Sequence, residues 1–95
     1  MNRSNRALRI LCAEDDPSIG ELLVFLLTTA GHVIEYVSDG KAAWNRMSQD
    51  IGFFDVLITD NQMPGFDGLS LVELLRGANF RGQVIVHSSA LSALE

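Results

Sequence analysis

The sequence predicts an α/β domain built on a doubly wound parallel sheet, and three observations support this fold class. Short apolar segments typical of buried strands alternate with segments whose apolar residues recur at helical spacing. The resulting order, β-α-β-α-β-α-β, is typical of a parallel sheet with helices on both faces. The chain has 95 residues, a length that suits one compact domain. We therefore expect a single domain over residues 1–95, with residues 1–7 flexible.

The first half of the chain contains two predicted strands and two predicted helices. Leu8 to Ala13 is an apolar strand that ends at an acidic run. Asp16 is expected to cap the first helix, with Pro17 at its first position, where a missing N–H costs nothing. Val33 to Val37 is the second strand, and Ser38 to Gly40 leads into a short second helix.

The second half adds a third helix between two further strands. Phe54 to Thr59 is a third strand that ends at another acid, Asp60. Asp67 is expected to cap a helix that ends at Gly77, and Gln83 to Val86 is the fourth strand. Right-handed crossovers place the carboxyl ends of all strands on one edge of such a sheet, and ligands bind at that edge. Residues that follow strands are therefore the functional candidates.

Three carboxylates follow strands and are predicted to meet at one crevice: Glu14, Asp15 and Asp60. Without a cation they would repel each other and raise the pKa of at least one. Mg²⁺ removes this conflict, and it would align an incoming phosphoryl group with Asp60 as nucleophile. Ser88, the first hydroxyl after the fourth strand, is placed to donate a hydrogen bond to that group. The alternative interpretation treats the three acids as ordinary loop and strand-end residues.

Two stretches resemble a known family. The segments ILCAEDDP (10–17) and VLITDNQMPGFDG (56–68) are similar to the first-strand acids and the phospho-acceptor loop of CheY-like response regulator receivers. The resemblance extends from Leu8 to Ala90 and implies a flavodoxin-like receiver fold. Receivers of this family continue beyond the fourth strand, so the resemblance also implies a domain that lacks its last strand and helices and is incomplete at its C-terminus.

The resemblance implies a role for each matching residue. Asp60 matches the aspartate that takes a phosphoryl group from a histidine kinase. Asp15 matches a direct Mg²⁺ ligand, Glu14 an acid that reaches the ion through water, and Gln62 a residue whose backbone carbonyl completes the metal shell. Ser88 matches the hydroxyl residue that contacts the phosphoryl group.

Partners and location follow from composition and from the resemblance. A histidine kinase or phosphotransfer protein is the implied partner. The net charge of -5 argues against nucleic acid as a partner. No apolar run approaches the ~18 residues of a membrane span, and no signal peptide is evident, so cytoplasmic residence is expected.

Two other functions are considered. A phosphatase with an aspartyl-phosphate intermediate would resemble related enzymes in having a second acid two residues after Asp60, where this chain has Gln62. A degenerate, non-phosphorylated receiver would act as an interaction or dimerisation module. This second alternative is favoured by the lack of a match to the family's phosphoryl-pairing lysine, because Lys41 is the only lysine in the sequence and lies elsewhere. We expect a phospho-acceptor rather than a turnover enzyme.

Residues outside the acid crevice suggest self-association. The run from Leu22 to Leu27 is apolar nearly all round, and Val84 to Val86 would form an unprotected edge strand. A homodimer through either surface is therefore predicted. His87 is interpreted as a hydrogen-bonded structural histidine, with a functional role as the alternative.

Overall fold

The computed structural model describes residues 6–63, 65 and 67–87. It contains four strands and three helices within those residues, in the predicted order: β1 (Arg9–Ala13), α1 (Pro17–Thr29), β2 (Val33–Val37), α2 (Gly40–Ser48), β3 (Val56–Asp60), α3 (Gly68–Gly77) and β4 (Gln83–His87). The strands are all parallel, in the order β2-β1-β3-β4. The predicted doubly wound α/β fold is confirmed. The N-terminal residues 1–5, expected to be flexible, lie outside the described part of the chain.

Two strands begin later than the sequence predicts: β1 begins at Arg9 rather than at Leu8, and β3 differs more. Phe54 was expected to open β3, yet the strand begins at Val56. Asp55 instead bonds to the chain beside it: the backbone N–H of Arg9 donates to Oδ2 of Asp55 at 2.8 Å. Phe54 is buried as a core side chain just before the strand. The hydrophobic pattern therefore predicted the burial of Phe54 correctly, but it did not predict where strand pairing begins.

The helix starts agree with the predicted caps. The side chain of Asp16 accepts a hydrogen bond from the backbone N–H of Ser18, and Pro17 is the first residue of α1. Asp67 caps α3 in the same way, through the backbone N–H of Ser70 at 2.8 Å. Such side chains satisfy N–H groups that have no partner within the helix. The caps fix where each helix leaves the carboxyl edge of the sheet.

The two faces of the sheet are covered differently. One face, here called the α2/α3 face, packs against both of those helices. Its buried residues are Leu11, Ala13, Ala43, Met47, Phe54, Leu57, Leu71, Leu75 and Phe80. The opposite face, here called the α1 face, packs against one helix of the described residues, α1, and its buried residues are Ile10, Cys12 and Val56.

Large apolar side chains remain exposed on the α1 side. Phe25 of α1 is 66% exposed, and Leu22 and Leu26 are each more than half exposed. Ile85 is also exposed and pairs in register with Ile58, which packs toward the α1 face. Within the described residues, β4 is an edge strand of the sheet. No helix in that part of the chain is both long and apolar enough to cross a membrane.

Candidate functional site

The candidate site lies at the carboxyl edge of the sheet, on its α1 side. Side chains alternate between the two faces along a strand. Cys12 packs toward α1, so Glu14 comes next on the same side just after β1 ends. Ile58 packs toward α1 as well, which places Asp60 on that side at the end of β3. The alternation therefore brings these two acids to one corner of the sheet.

Glu14, Asp15 and Asp60 form a cluster here called the acid trio. One carboxylate oxygen from each lies within 4.8 Å of those from the other two. Glu14 and Asp60 are buried, at 1% and 3% exposure, whereas Asp15 is exposed. Mg²⁺ binds oxygens at about 2.1 Å, so two oxygens on one ion are at most about 4.2 Å apart, and the 4.8 Å limit on the separations within the trio is near that value. The arrangement suits a hard divalent cation that enters from the Asp15 side.

Glu14 has a buried carboxylate that is only partly hydrogen-bonded. Its Oε2 accepts a hydrogen bond from the backbone N–H of Asp16 at 3.0 Å, but its Oε1 is buried without a hydrogen-bond partner among the described residues. Burial is the main cause that raises the pKa of Glu14, and the charges of Asp60 and Asp15 raise it further. The hydrogen bond from the N–H of Asp16 and the nearby His87 act in the opposite direction. A buried acceptor without a partner, beside two other acids, is the kind of group that a bound cation stabilises.

The acceptor loop after β3 is held close to Asp60. The backbone N–H of Gln62 donates to Oδ1 of Asp60 at 3.3 Å, and the carbonyl of Asn61 accepts from the N–H of Gly68 at 2.8 Å. A Cβ at Gly68 would lie 2.7 Å from the carbonyl oxygen of Asp60, so α3 approaches the strand end more closely than a larger residue allows. The predicted role of the Gln62 carbonyl stays a prediction.

Two neighbouring predictions have different outcomes. Asp16 is a helix cap as predicted and is not a member of the trio. Ser88, the predicted phosphoryl-contacting hydroxyl, lies outside the residues that the structure describes. Its position relative to Asp60 therefore remains a prediction.

Tyr36 was not singled out by sequence reasoning, although it contacts the site. Its hydroxyl donates a hydrogen bond to the backbone carbonyl of Glu14 at 2.7 Å. The pKa of Tyr36 is raised by burial, and by Glu14 and further nearby acids. The ring packs so closely on Gly20 of α1 that a Cβ there would collide with it. An aromatic residue in a strand carries no sequence signal for this contact, because it depends on how β2 pairs with β1.

His87 makes a second contact with the site that sequence reasoning did not identify. Its Nε2 lies 3.0 Å from Oε1 of Glu14, although neither atom has an aligned hydrogen-bond partner in the described part of the chain. His87 ends β4, as the sequence predicted, and its role as a structural or a functional histidine stays a prediction. A histidine beside Ser88 at the end of a strand was the available signal.

Comparison with known proteins agrees with the geometry of the site. The family model described as "Response regulator receiver domain" matches residues 10–94. This range includes the acid trio, β2, β3 and β4, and all of β1 except Arg9. It extends over far more than half of the chain.

Individual relatives agree with the family match. The sensor protein GacS of Pseudomonas syringae pv. syringae is 40% identical over 73 residues, which cover 77% of this chain and 8% of that protein. The transcriptional regulatory protein TcrA of Mycobacterium tuberculosis is 38% identical over 69 residues, covering 73% of this chain and 26% of that one. The chain thus spans less than a third of the length of either relative.

A solved structure supports the fold assignment. The response regulator TrrA of Thermotoga maritima, in complex with Mg²⁺ and BeF, superposes with a TM-score of 0.79 at 30% identity. The match covers 86% of this chain and 70% of that one. With the parallel sheet and the acid trio at its carboxyl edge, these findings show that the chain belongs to the response regulator receiver domain family of two-component systems.

Proposed function

We propose that the module accepts a phosphoryl group on Asp60, with Mg²⁺ held by Glu14, Asp15, Asp60 and the backbone carbonyl of Gln62. The observation that supports this most strongly is the acid trio. Asp60 ends β3 with one oxygen held by the N–H of Gln62, beside two acids within 4.8 Å. The TrrA relative was solved with Mg²⁺ and BeF, which supports the choice of ion.

Each residue has a proposed part in the transfer. Asp60 attacks phosphorus with a carboxylate oxygen, a new O–P bond forms, and the P–N bond of the donor phosphohistidine breaks. The electron pair of that bond returns to the donor nitrogen, which takes a proton from solvent. Mg²⁺ held by these residues would neutralise charge on the phosphoryl group. Asp15, the exposed member of the trio, holds the ion directly, and Glu14 and Ser88 orient the groups around it.

Intact-mass measurement tests this proposal. With Mg²⁺ and a small phosphodonor, the wild-type chain should gain the mass of one phosphoryl group. Asp60→Asn should gain none, because an amide oxygen is a poor nucleophile, and chelation of the ion should also prevent the gain. No adduct on the wild-type chain, or the same adduct on Asp60→Asn, contradicts the proposal.

The proposed donor is a histidine kinase or a phosphotransfer protein. Among the relatives, one is named a sensor protein and another a transcriptional regulatory protein, so modules of this kind occur in proteins of both descriptions. The module is proposed to be a regulated acceptor that turns over no substrate. Cytoplasmic residence, with no nucleic-acid or membrane partner for this domain, remains part of the proposal.

A second candidate function is that of a non-phosphorylated dimerisation module. It is favoured by the exposure of Phe25, Leu26 and Ile85 on the α1 side of the molecule. Apolar side chains grouped on one surface mark sites of association. The proposed assembly is a homodimer that covers α1, the edge of β4, or both.

Sedimentation at micromolar concentration tests the homodimer. The wild-type chain should have twice the mass of one chain, and Phe25→Glu should have the mass of a monomer. Leu74→Glu is the matched control, because Leu74 is an exposed leucine of α3 on the other side of the sheet. A soluble wild-type monomer contradicts the dimer. If the chain is a monomer but is phosphorylated normally, the dimerisation proposal fails and the phospho-acceptor proposal stands.

A further inference from the structure

His87 approaches the acid trio through Glu14. Its Nε2 is 3.0 Å from Oε1 of Glu14. Asp60 and His87 are register partners on β3 and β4, so both side chains lie on the same side of the sheet. Glu14 reaches that side from the end of β1. The contact therefore connects three elements at the edge where the phosphoryl group is proposed to bind.

Glu14 needs a partner at Oε1. The side chain is 1% exposed, and water cannot easily reach it. Its other oxygen, Oε2, is occupied by the backbone N–H of Asp16. Among the residues that the structure describes, His87 is the sole basic side chain within ion-pair distance of any member of the trio. A buried carboxylate oxygen without a donor has lost the hydrogen bonds that water gives it in the unfolded chain, so a protein donor at this position is stabilising.

Nε2 of His87 is available as a hydrogen-bond donor. Nε2 of His87 has no other hydrogen-bond partner in the described residues, and it faces the unpaired Oε1. A separation of 3.0 Å is an ordinary N–H···O length, so a small rotation of the ring aligns the two atoms. The neutral Nε2–H tautomer and the imidazolium ion both donate in this geometry. The contact therefore requires only that Nε2 carries a proton.

We propose that His87 is a positioning residue for the metal site: it donates to Oε1 while the N–H of Asp16 holds Oε2, and together they fix the carboxylate of Glu14. This inference rests on the proposed Mg²⁺ site and assigns a new residue to it. Glu14 is joined to the ion through water in the proposed site, so its orientation matters more than that of a flexible exposed acid. Partners that orient a metal-binding group from outside typically change metal affinity by about 10- to 100-fold when removed.

Titration calorimetry with Mg²⁺ provides the first test. His87→Leu removes the donor while keeping an apolar side chain of similar size, and we expect about 10-fold weaker Mg²⁺ binding. His87→Gln keeps an N–H donor and should recover most of the affinity. His32→Leu is the matched control, because His32 lies at the opposite edge of the sheet, where its Nδ1 accepts from the N–H of Leu8. That variant should bind Mg²⁺ like the wild-type chain.

A double-mutant cycle separates positioning from general damage to β4. Glu14→Gln weakens Mg²⁺ binding by itself, and adding His87→Leu should then cost little more, because the residue that His87 positions has already lost its charge. Additive losses would show that His87 acts through the fold of the strand, and would overturn the inference. Equal Mg²⁺ affinity in His87→Leu and wild type, or tighter binding in His87→Leu, would overturn it as well.

Electron paramagnetic resonance with Mn²⁺ in place of Mg²⁺ provides an independent readout. A positioning role predicts no nitrogen coupling to the ion. Coupling that disappears in His87→Leu would show that the imidazole binds the ion itself, and the positioning role would be wrong. If the wild-type chain binds neither ion, the proposed metal site fails; if it binds both and the His87 variants are unchanged, only this inference fails.

Discussion

The two faces of the sheet differ in how completely the described residues of this chain cover them. On the α2/α3 face, two helices bury side chains such as Leu57, Leu71 and Phe80 to 1% exposure or less. On the α1 face, a single helix leaves Phe25 and Ile85 more than half exposed. The two faces therefore contribute differently to the protein. One face supplies most of the buried apolar surface that stabilises the fold, and the other supplies exposed surface.

The acid trio belongs to the α1 side. Glu14, Asp60 and His87 all follow the strand positions that point toward α1. This side also has fewer buried apolar contacts, and regions with few such contacts tend to open more easily. We therefore expect substitutions on the α2/α3 face to alter mainly stability, and those on the α1 side to alter mainly metal binding and association.

The largest expected effect is on the stability of the α2/α3 face. Leu57→Ala should lower the free energy of unfolding by about 2–5 kcal/mol, because it leaves a cavity at a fully buried position of β3. In a monomeric chain, Leu26→Ala on α1, at a side chain 51% exposed, should lower it by less than about 1 kcal/mol. Urea unfolding followed by circular dichroism measures both. Similar losses for the two variants would mean that the α1 face is covered in solution.

The next effect concerns Mg²⁺ affinity at the carboxyl edge. Asp15→Asn should weaken Mg²⁺ binding by more than the roughly 10- to 100-fold that losing an outer partner costs, because Asp15 is the proposed direct ligand. Asp16→Asn should leave the affinity nearly unchanged, because Asn caps a helix about as well as Asp. Calorimetric titration of both variants checks the pair. An equal loss in Asp16→Asn would contradict the assignment of these two neighbours.

The smallest effect is on the pH dependence of stability without Mg²⁺. The pKa of Glu14 is raised in the folded chain, chiefly by burial. The stabilising contribution of the protonated acid is fully present below its unfolded pKa of about 4.3, and it is lost as pH rises through the higher folded value. Glu14→Gln should therefore stabilise the metal-free chain at pH 7, by roughly 1–3 kcal/mol, and have little effect near pH 4.

A second glutamate provides a control of opposite sign. The pKa of Glu35 is lowered by its hydrogen bond with Arg46, at 2.7 Å. Its contribution to stability is present above the unfolded pKa and is lost as pH falls. Glu35→Gln should therefore destabilise the chain at pH 7, and the difference should shrink in acid. Denaturation at several pH values measures both glutamates, and destabilisation of the metal-free chain by Glu14→Gln at pH 7 would contradict the assigned cost of the buried acid.

Local sequence signals predicted well what depends on neighbouring residues. Asp16 and Asp67 were identified as helix caps because a cap bonds only to its own first turn. The order of strands and helices followed from hydrophobic periodicity in the same way. The end of β1 at Ala13 and the acids after it agree with the sequence, because an acidic run terminates a buried strand.

Predictions failed where distant segments compete for the same residue. Phe54 reads as the start of a strand, but the side chain of Asp55 bonds to Arg9 and the ladder begins two residues later. The contact of His87 with Glu14 depends on the alignment of β4 with β3 and of β3 with β1. A shift of one residue in either alignment would turn His87 toward the other face.

The sequence alone determined the fold class, the helix caps and the identity of the three acids, because each depends on local periodicity or on a motif within one segment. Only the tertiary structure decided that Oε1 of Glu14 is left buried beside Nε2 of His87, and that Tyr36 holds the backbone of Glu14. These contacts join residues far apart in the chain. Their geometry is set by strand register and by burial, and neither is encoded in any single stretch of sequence.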